Sequence, residues 1–393
     1  MTKSLRLYIF SSLYFAQGML MSYFLTFNIL YLGEAGYTPA EVGIFQAILT
    51  IPFVLKIFLG MLSDGVNLLG FGHRKPYIVL GLIGQLVAMI IAPSISVDDG
   101  ITSFALIALV ASVSMALYDT CNDGLALDTT PENERGTVQG LMVGARALGI
   151  LVMLVLGGEI AQRFGWSWVF YTISAITLLP LIGSLWIKEP DAITERAAFE
   201  WSAFKKFATG AVLLLAALGF IYSVALDGVL TYLSDFLREA MGVSIGSIGL
   251  LVAVSMVGRI LGALTNTFLT DRIGAQKSLF VAIGLTTVGC LGLAISGNLY
   301  WLGAFGFIFG LAYGYYTAVY AAVAMKISDP RIAASMFAIF MMFINLGTVG
   351  GQAIGGFVTE AWGFSVMVLV FGLINLVNIP LVVKTFKEKA AVS

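Results

Sequence analysis

Six ionisable side chains stand where charge is costly. Lys56, Asp119, Asp123, Arg146, Asp227 and Arg259 each fall inside a long apolar run. Such groups are expected to face one another or a watered cavity. Asp119 and Asp123 are four apart and so share one helical face. Carboxylates beside cations can trade protons. Burial favours the neutral acid, a neighbouring cation favours the carboxylate, and a ligand that borrows the cation tips the balance. The same spacing also suits a static ion pair that only satisfies buried charge.

Depth along each run suggests partners. At about 1.5 Å per residue, Asp123 lies roughly 6 Å and Asp119 roughly 12 Å from a helix end near Leu127. Lys56 lies about 9 Å from the end of its own run, so a Lys56–Asp123 pair is expected. Arg146, about 15 Å in, is level with Asp119, and Arg259 sits at comparable depth in the second half. Asp227 falls toward the outer end of its run, where an outer gate suits it as well as a proton site. Tyr14, Gln17 and Asn345 are neutral polar candidates for a cavity wall. Tyr313, Tyr315, Tyr316 and Tyr320 crowd one run and suit either helix packing or stacking on a ring-shaped ligand. Gly140, Gly144 and Gly149 share one run and suit close helix contact.

The elements that carry these residues are membrane spans. Of 393 residues, 59% are apolar and 11% charged. A soluble chain has roughly a quarter of its residues charged. A spanning helix needs about 20 apolar residues. Twelve runs qualify: 5–30, 40–62, 76–95, 102–127, 136–160, 167–187, 207–233, 244–268, 278–296, 300–325, 332–358 and 364–383. Gly, Pro, Asn or charged residues bound each one. The first run is long, lacks a small-residue cleavage site, and reads as a retained helix. Of the 21 Lys and Arg, three lie inside runs, sixteen flank them on the side of both termini, and Arg163 and Arg238 flank the other side. By the positive-inside rule, both termini are cytoplasmic.

Several chemistries have no support. Net charge is −1, which points to no nucleic-acid partner. Cys121 and Cys290 lie in apolar runs and read as free thiols. His73 is the only histidine, no metal-ligand spacing exists, and no phosphate-cradling loop is present. No cofactor and no metal are expected. No nucleophile–base constellation is visible, so an enzyme is not expected.

The chain repeats itself. Gly157-Gly158 and Phe164-Gly165-Trp166 recur as Gly355-Gly356 and Trp362-Gly363-Phe364, at an offset of 198. Ser63-Asp64 after the second run is echoed by Thr270-Asp271-Arg272 after the eighth. Pro131 and Arg135 are echoed by Pro330 and Arg331. The reading is an all-α membrane protein of twelve transmembrane helices in two pseudo-symmetric six-helix bundles. The first bundle is 1–187, the charged cytoplasmic linker is 188–206, and the second bundle is 207–393.

Here a resemblance enters. Gly60-Met61-Leu62-Ser63-Asp64 followed by Gly72-His73-Arg74-Lys75 resembles the signature loop of the major facilitator superfamily, lengthened by Val66 to Phe71. The run IPFVLKIFLGMLSD, residues 51–64, with GFGHRKPY, residues 70–77, is similar to the folate–biopterin transporter branch. The anhydromuropeptide permease and acetyl-CoA transporter branches share the lysine before the aspartate. The stretch YDTCNDGLALDTTPENERG, residues 118–136, resembles the muropeptide permease pattern. The glycoside cation-symporter branch has an Arg-Lys-Pro loop of the same type.

The resemblance implies a secondary transporter with its substrate site between repeated halves. It implies that Asp64 contacts Arg135 and a neighbouring helix terminus to hold the cytoplasmic side closed. Gly60, Arg74, Lys75, Asp271 and Arg272 fall in the same gating loops. Three buried cations favour an anionic or zwitterionic organic solute, with protons as the coupling ion and Na+ as the other choice. The expected setting is a prokaryotic inner membrane, and the expected state is a monomer. The alternatives are an uncoupled facilitator or exporter, a sugar symporter, or a non-transporting assembly factor or sensor with the same fold.

Overall fold

The computed structural model describes residues 2–70, 72–97, 100–131, 134–189, 210–327 and 333–392. Side chains at some helical positions, including Asp64, Arg135 and Asp271, lie outside this description. All regular structure among the described residues is helical. Twelve helical segments are long and apolar enough to cross a membrane: Lys3–Glu34, Pro39–Ser63, Lys75–Ser94, Ile101–Ala126, Gly140–Phe164, Trp166–Ser184, Gly210–Glu239, Ile245–Asn266, Ala275–Ile295, Leu299–Ala324, Met336–Trp362 and Phe364–Lys387. They are called spans one to twelve below. Number and order match the sequence expectation, and several helices run past the expected ends.

By internal contacts the chain divides into two units. Unit one is Met1–Ala35, Leu55–Ala198 and Ile245–Gly249. Unit two is Gly36–Val54, Phe199–Ser244 and Leu250–Ser393. Relative to the expected bundles, residues 36–54 and 245–249 each group with the other unit.

Span two changes units where its helix breaks. Pro52 has no N–H to donate, and Leu55 leaves helical geometry at φ −86°, ψ 3°. In unit two, Asn345 on span eleven donates Nδ2–H to the Phe53 carbonyl at 3.0 Å. Thr50 reaches Gln352 at 2.8 Å. A Cβ on Gly43 would strike Tyr232 and the Gln352 carbonyl, so only glycine admits this approach.

Unit one has matching devices. Cβ atoms at Gly18 and Gly149 would strike the carbonyls of Arg146 and Phe15, so spans one and five touch backbone to backbone. Gly140 and Gly144 do not pack this way. They line an open apolar groove with Ser11, Phe15 and Leu148. Span one carries a π turn at Tyr23–Phe27, beside which the buried Tyr23 hydroxyl donates to Asn28 at 3.0 Å. A buried chain ties spans four, three and six together. Tyr118 donates to Gln85 at 2.9 Å, and Gln85 to Thr177 at 2.7 Å.

The repeat is visible in the backbone. Gly165 has φ 89°, ψ 167° before span six, and Gly363 has φ 80°, ψ 166° before span twelve. That region is open to glycine almost alone.

Candidate functional site

In unit one the charged residues meet on spans one, two, four and five. Lys56 pairs with Asp119, not with Asp123 as depth counting suggested. The helix carrying Lys56 ends at Gly65, and that carrying both aspartates ends at Thr129. With those ends, Lys56 lies about 13–14 Å in, Asp119 about 15 Å and Asp123 about 9 Å. Lys56 is therefore level with Asp119. The Asp119 residue is 3% exposed. Asp123 instead accepts the Tyr14 hydroxyl. The Arg146 guanidinium lies over the Tyr14 ring, 5.1 Å from its centre, within cation–π range.

Unit two repeats this motif with the partners exchanged. The Arg259 guanidinium lies 3.7 Å from the centre of the Tyr313 ring. Tyr313 donates to Asp227 at 2.7 Å. Ser223 and Thr348 also donate to Asp227, the latter at 2.7 Å. In unit one the tyrosine is on span one and the acid on span four. In unit two the acid is on span seven and the tyrosine on span ten. Each unit thus holds an Arg–Tyr–Asp chain in which a ring separates the cation from the carboxylate. Asp227 is not at the outer end of its span. The helix Gly210–Glu239 continues twelve residues past it, about 18 Å.

Of the other predicted residues, Gln17 is 1% exposed, and its Oε1 has no hydrogen-bond partner among the described residues. Asn345 serves the span-two break and does not join the Asp227 cluster. Three of the four clustered tyrosines are packing residues. Tyr316 stacks on Tyr222, Tyr320 donates to the Leu215 carbonyl at 3.2 Å, and Tyr315 is 1% exposed.

The loop residues form contacts inside unit one. The Glu189 carboxylate accepts three backbone N–H groups, from His73 at 2.9 Å, Arg74 at 2.8 Å and Lys75 at 2.5 Å. It thereby caps the helix that starts span three. In return, Lys75 Nζ donates to the carbonyls of Leu185 and Ile187, just past span six. The Arg74 guanidinium donates to Ser63 at 2.6 Å and lies 3.4 Å from Asp128. A Cβ on Gly60 would only touch the Thr120 methyl at 3.4 Å, and Arg272 is exposed. Contacts of Asp64, Arg135 and Asp271 fall outside the described side chains.

Sequence reasoning missed four participants. Glu189 lies in the linker that composition marks as a charged spacer. Arg6, which donates to the Thr129 carbonyl at 2.9 Å and pairs with Glu134 at 2.6 Å, reads as a flanking charge. Asn122 and Thr348 are neutral and carry no pattern. Only their placement one turn from Asp119 and Asn345 hinted at a shared face.

Comparison with known proteins fits this architecture. The sequence model of the Major Facilitator Superfamily matches residues 10–244 and 215–393. The folate-biopterin transporter of Synechocystis sp. is 25% identical, over 94% of this chain and 79% of its own length. The anhydromuropeptide permease of Escherichia coli K12 is 25% identical, over 82% of this chain and 70% of its own. Among solved structures, the nucleoside transporter NupG has a TM-score of 0.81 at 16% identity, covering 98% of this chain and 100% of that one. An inward-facing bacterial homolog of the human lysosomal transporter Spinster has a TM-score of 0.76 at 15% identity, covering 98% of both chains. With the family match spanning nearly the whole chain and twelve apolar spans to carry it, this protein belongs to the Major Facilitator Superfamily and is a membrane transporter, not an enzyme.

Proposed function

We propose that the protein is a proton-coupled secondary transporter of a small organic anion or zwitterion, working by alternating access in a prokaryotic inner membrane with both termini cytoplasmic. One observation carries this reading. Arg146 and Arg259 rest on tyrosine faces and make no ion pair among the described residues, so each guanidinium can still pair with a carboxylate or phosphate. Lys56, by contrast, is committed to Asp119.

Coupling follows from the same arrangement. A substrate anion that draws Arg146 off Tyr14 weakens the positive field over Asp123. The freed carboxylate then takes a proton more readily. Pterins, folates and anhydromuropeptides, named for the relatives, are the first solutes to test. The break at Leu55 and the π turn in span one are the proposed flexing points, because each already departs from helical hydrogen bonding. Glu189, Arg74 and Lys75 are proposed to hold the cytoplasmic end of unit one while the units move, with Gly60, Asp64, Arg135, Asp271 and Arg272 as gate residues.

The test is direct. Thermal-shift screening of purified protein against these solutes and a wider library identifies ligands. Each hit is then offered to proteoliposomes with an imposed inward pH gradient. Accumulation above equilibrium that collapses with a protonophore is expected. Equilibration without accumulation would leave an uncoupled facilitator, and dependence on Na+ alone would replace the coupling ion.

A further inference from the structure

Three polar side chains in unit one are more than nine-tenths buried and only partly satisfied. Asp119 is 3% exposed, Gln17 1% and Asn122 0%. Oδ2 of Asp119 accepts from Lys56, while Oδ1 has no partner among the described residues. Neither do Gln17 Oε1 nor either terminal atom of Asn122. Buried polar atoms in folded proteins nearly always find partners, from protein or from ordered water.

Register brings these residues to one level. Arg6 on span one donates to the carbonyl of Thr129, at the end of the span-four helix, and Tyr14 donates to Asp123. Residue numbers therefore rise along span one as they fall along span four. One turn beyond Tyr14 is Gln17, and one turn before Asp123 is Asp119. Asn122, three residues from Asp119, neighbours it on the same helix.

We infer that Gln17 and Asn122 hold a buried water molecule against the free oxygen of Asp119, and that this water passes protons between Asp123 and Asp119. The inference rests on the proton coupling proposed above. The donor–acceptor count fits water. It accepts from Asn122 Nδ2–H and, when Asp123 is protonated, from the Asp123 acid O–H, and it donates to Asp119 Oδ1 and Gln17 Oε1, about three to four bonds, as a buried water makes. The charge count favours a neutral ligand over a cation. Asp119 and Asp123 are matched by Lys56 and Arg146, and Tyr14 completes the groups facing them.

The step balances. A proton on Asp123 passes to the water as the water gives one to Asp119 Oδ1. Asp123 returns to a carboxylate, Asp119 becomes the neutral acid, and the water is unchanged. Lys56 keeps its charge and loses its ionic partner, so it is released.

Infrared difference spectroscopy on the purified chain tests this without a substrate. Lowering the pH should raise a carboxylic-acid band that D119N and D123N both alter. The same spectrum should contain a water O–H band that shifts in H2-18O. That band should be lost in N122L and in Q17L and kept in N122S, whose hydroxyl can still hold water. An unshifted spectrum, or a band retained in both leucine variants, overturns the water site. So does a band abolished by NaCl replacing KCl, which would assign the site to a cation. Absence of any D119N-sensitive acid band would instead count against the coupling reading itself.

Discussion

Asp123 takes the hydroxyl of Tyr14 while Asp119, four residues away on the same helix, takes the ammonium of Lys56. Two carboxylates that look equivalent in sequence therefore have different partners. One is locked by a cation and buried. The other is half-buried and held by a neutral hydroxyl with a guanidinium behind it.

From that division we expect D119N and D123N to differ. Both should abolish pH-gradient accumulation of the solute that screening identifies. D123N should spare exchange to within about threefold, whereas D119N should impair it further by releasing Lys56. Counterflow and accumulation assays on the same vesicles separate the two. Full accumulation by both variants would remove the coupling role.

Lys56→Met should destabilise the protein by about 3 kcal/mol, because removing one partner leaves a buried charge uncompensated. The double change K56M/D119N should recover most of that loss. Thermal unfolding in detergent reads both, and equal melting temperatures for the single and double variants would contradict the pairing.

Tyr14→Phe and Tyr313→Phe keep the ring under each arginine and delete the bond to Asp123 or Asp227. Hydrogen bonds to charged groups are worth about 1.5–3 kcal/mol. Uptake should fall about tenfold in each while ligand binding, which uses the guanidinium, changes little. Arg146→Lys and Arg259→Lys should do the reverse and weaken binding, because a point charge cannot replace a planar fork. Calorimetric titration against uptake rates decides.

Glu189→Gln should lower the melting temperature by the equivalent of about 1 kcal/mol, the ordinary worth of a helix cap. Lys75→Met should cost less, since its ammonium sits nearer solvent. A variant of Glu189 as stable as wild type would show that the cap does not hold span three.

Gly165→Ala and Gly363→Ala should each cost about 1–3 kcal/mol through backbone strain alone, since no side chain stands in the way. Similar penalties at the two sites, measured by urea or heat, would express the internal repeat energetically.

Most of the architecture was legible in the residues themselves. Apolar runs of spanning length, the Lys and Arg bias, and the 198-residue offset needed no tertiary information, because the bilayer imposes its length scale and dielectric on each helix separately. The candidate charges were legible for the same reason: an ion in hydrocarbon is conspicuous wherever its partner lies. The partners were not. Lys56 met Asp119 because two helices run a few residues past their apparent ends, which moves every depth estimate by several ångströms. Asp227 moved to mid-span for the same reason. Tyr313 separated from Tyr316 and Tyr320, which share its helical stripe one and two turns on, only because its depth brings it level with Asp227. Glu189 became a cap, and Asn122 an unsatisfied buried amide, through contacts more than a hundred residues away or through their absence. Composition and hydropathy thus determined which residues must be buried in the membrane and roughly how deep. Tertiary structure alone decided which donor meets which acceptor, since hydrogen bonds are settled over a few tenths of an ångström and helix periodicity fixes position only to about a turn.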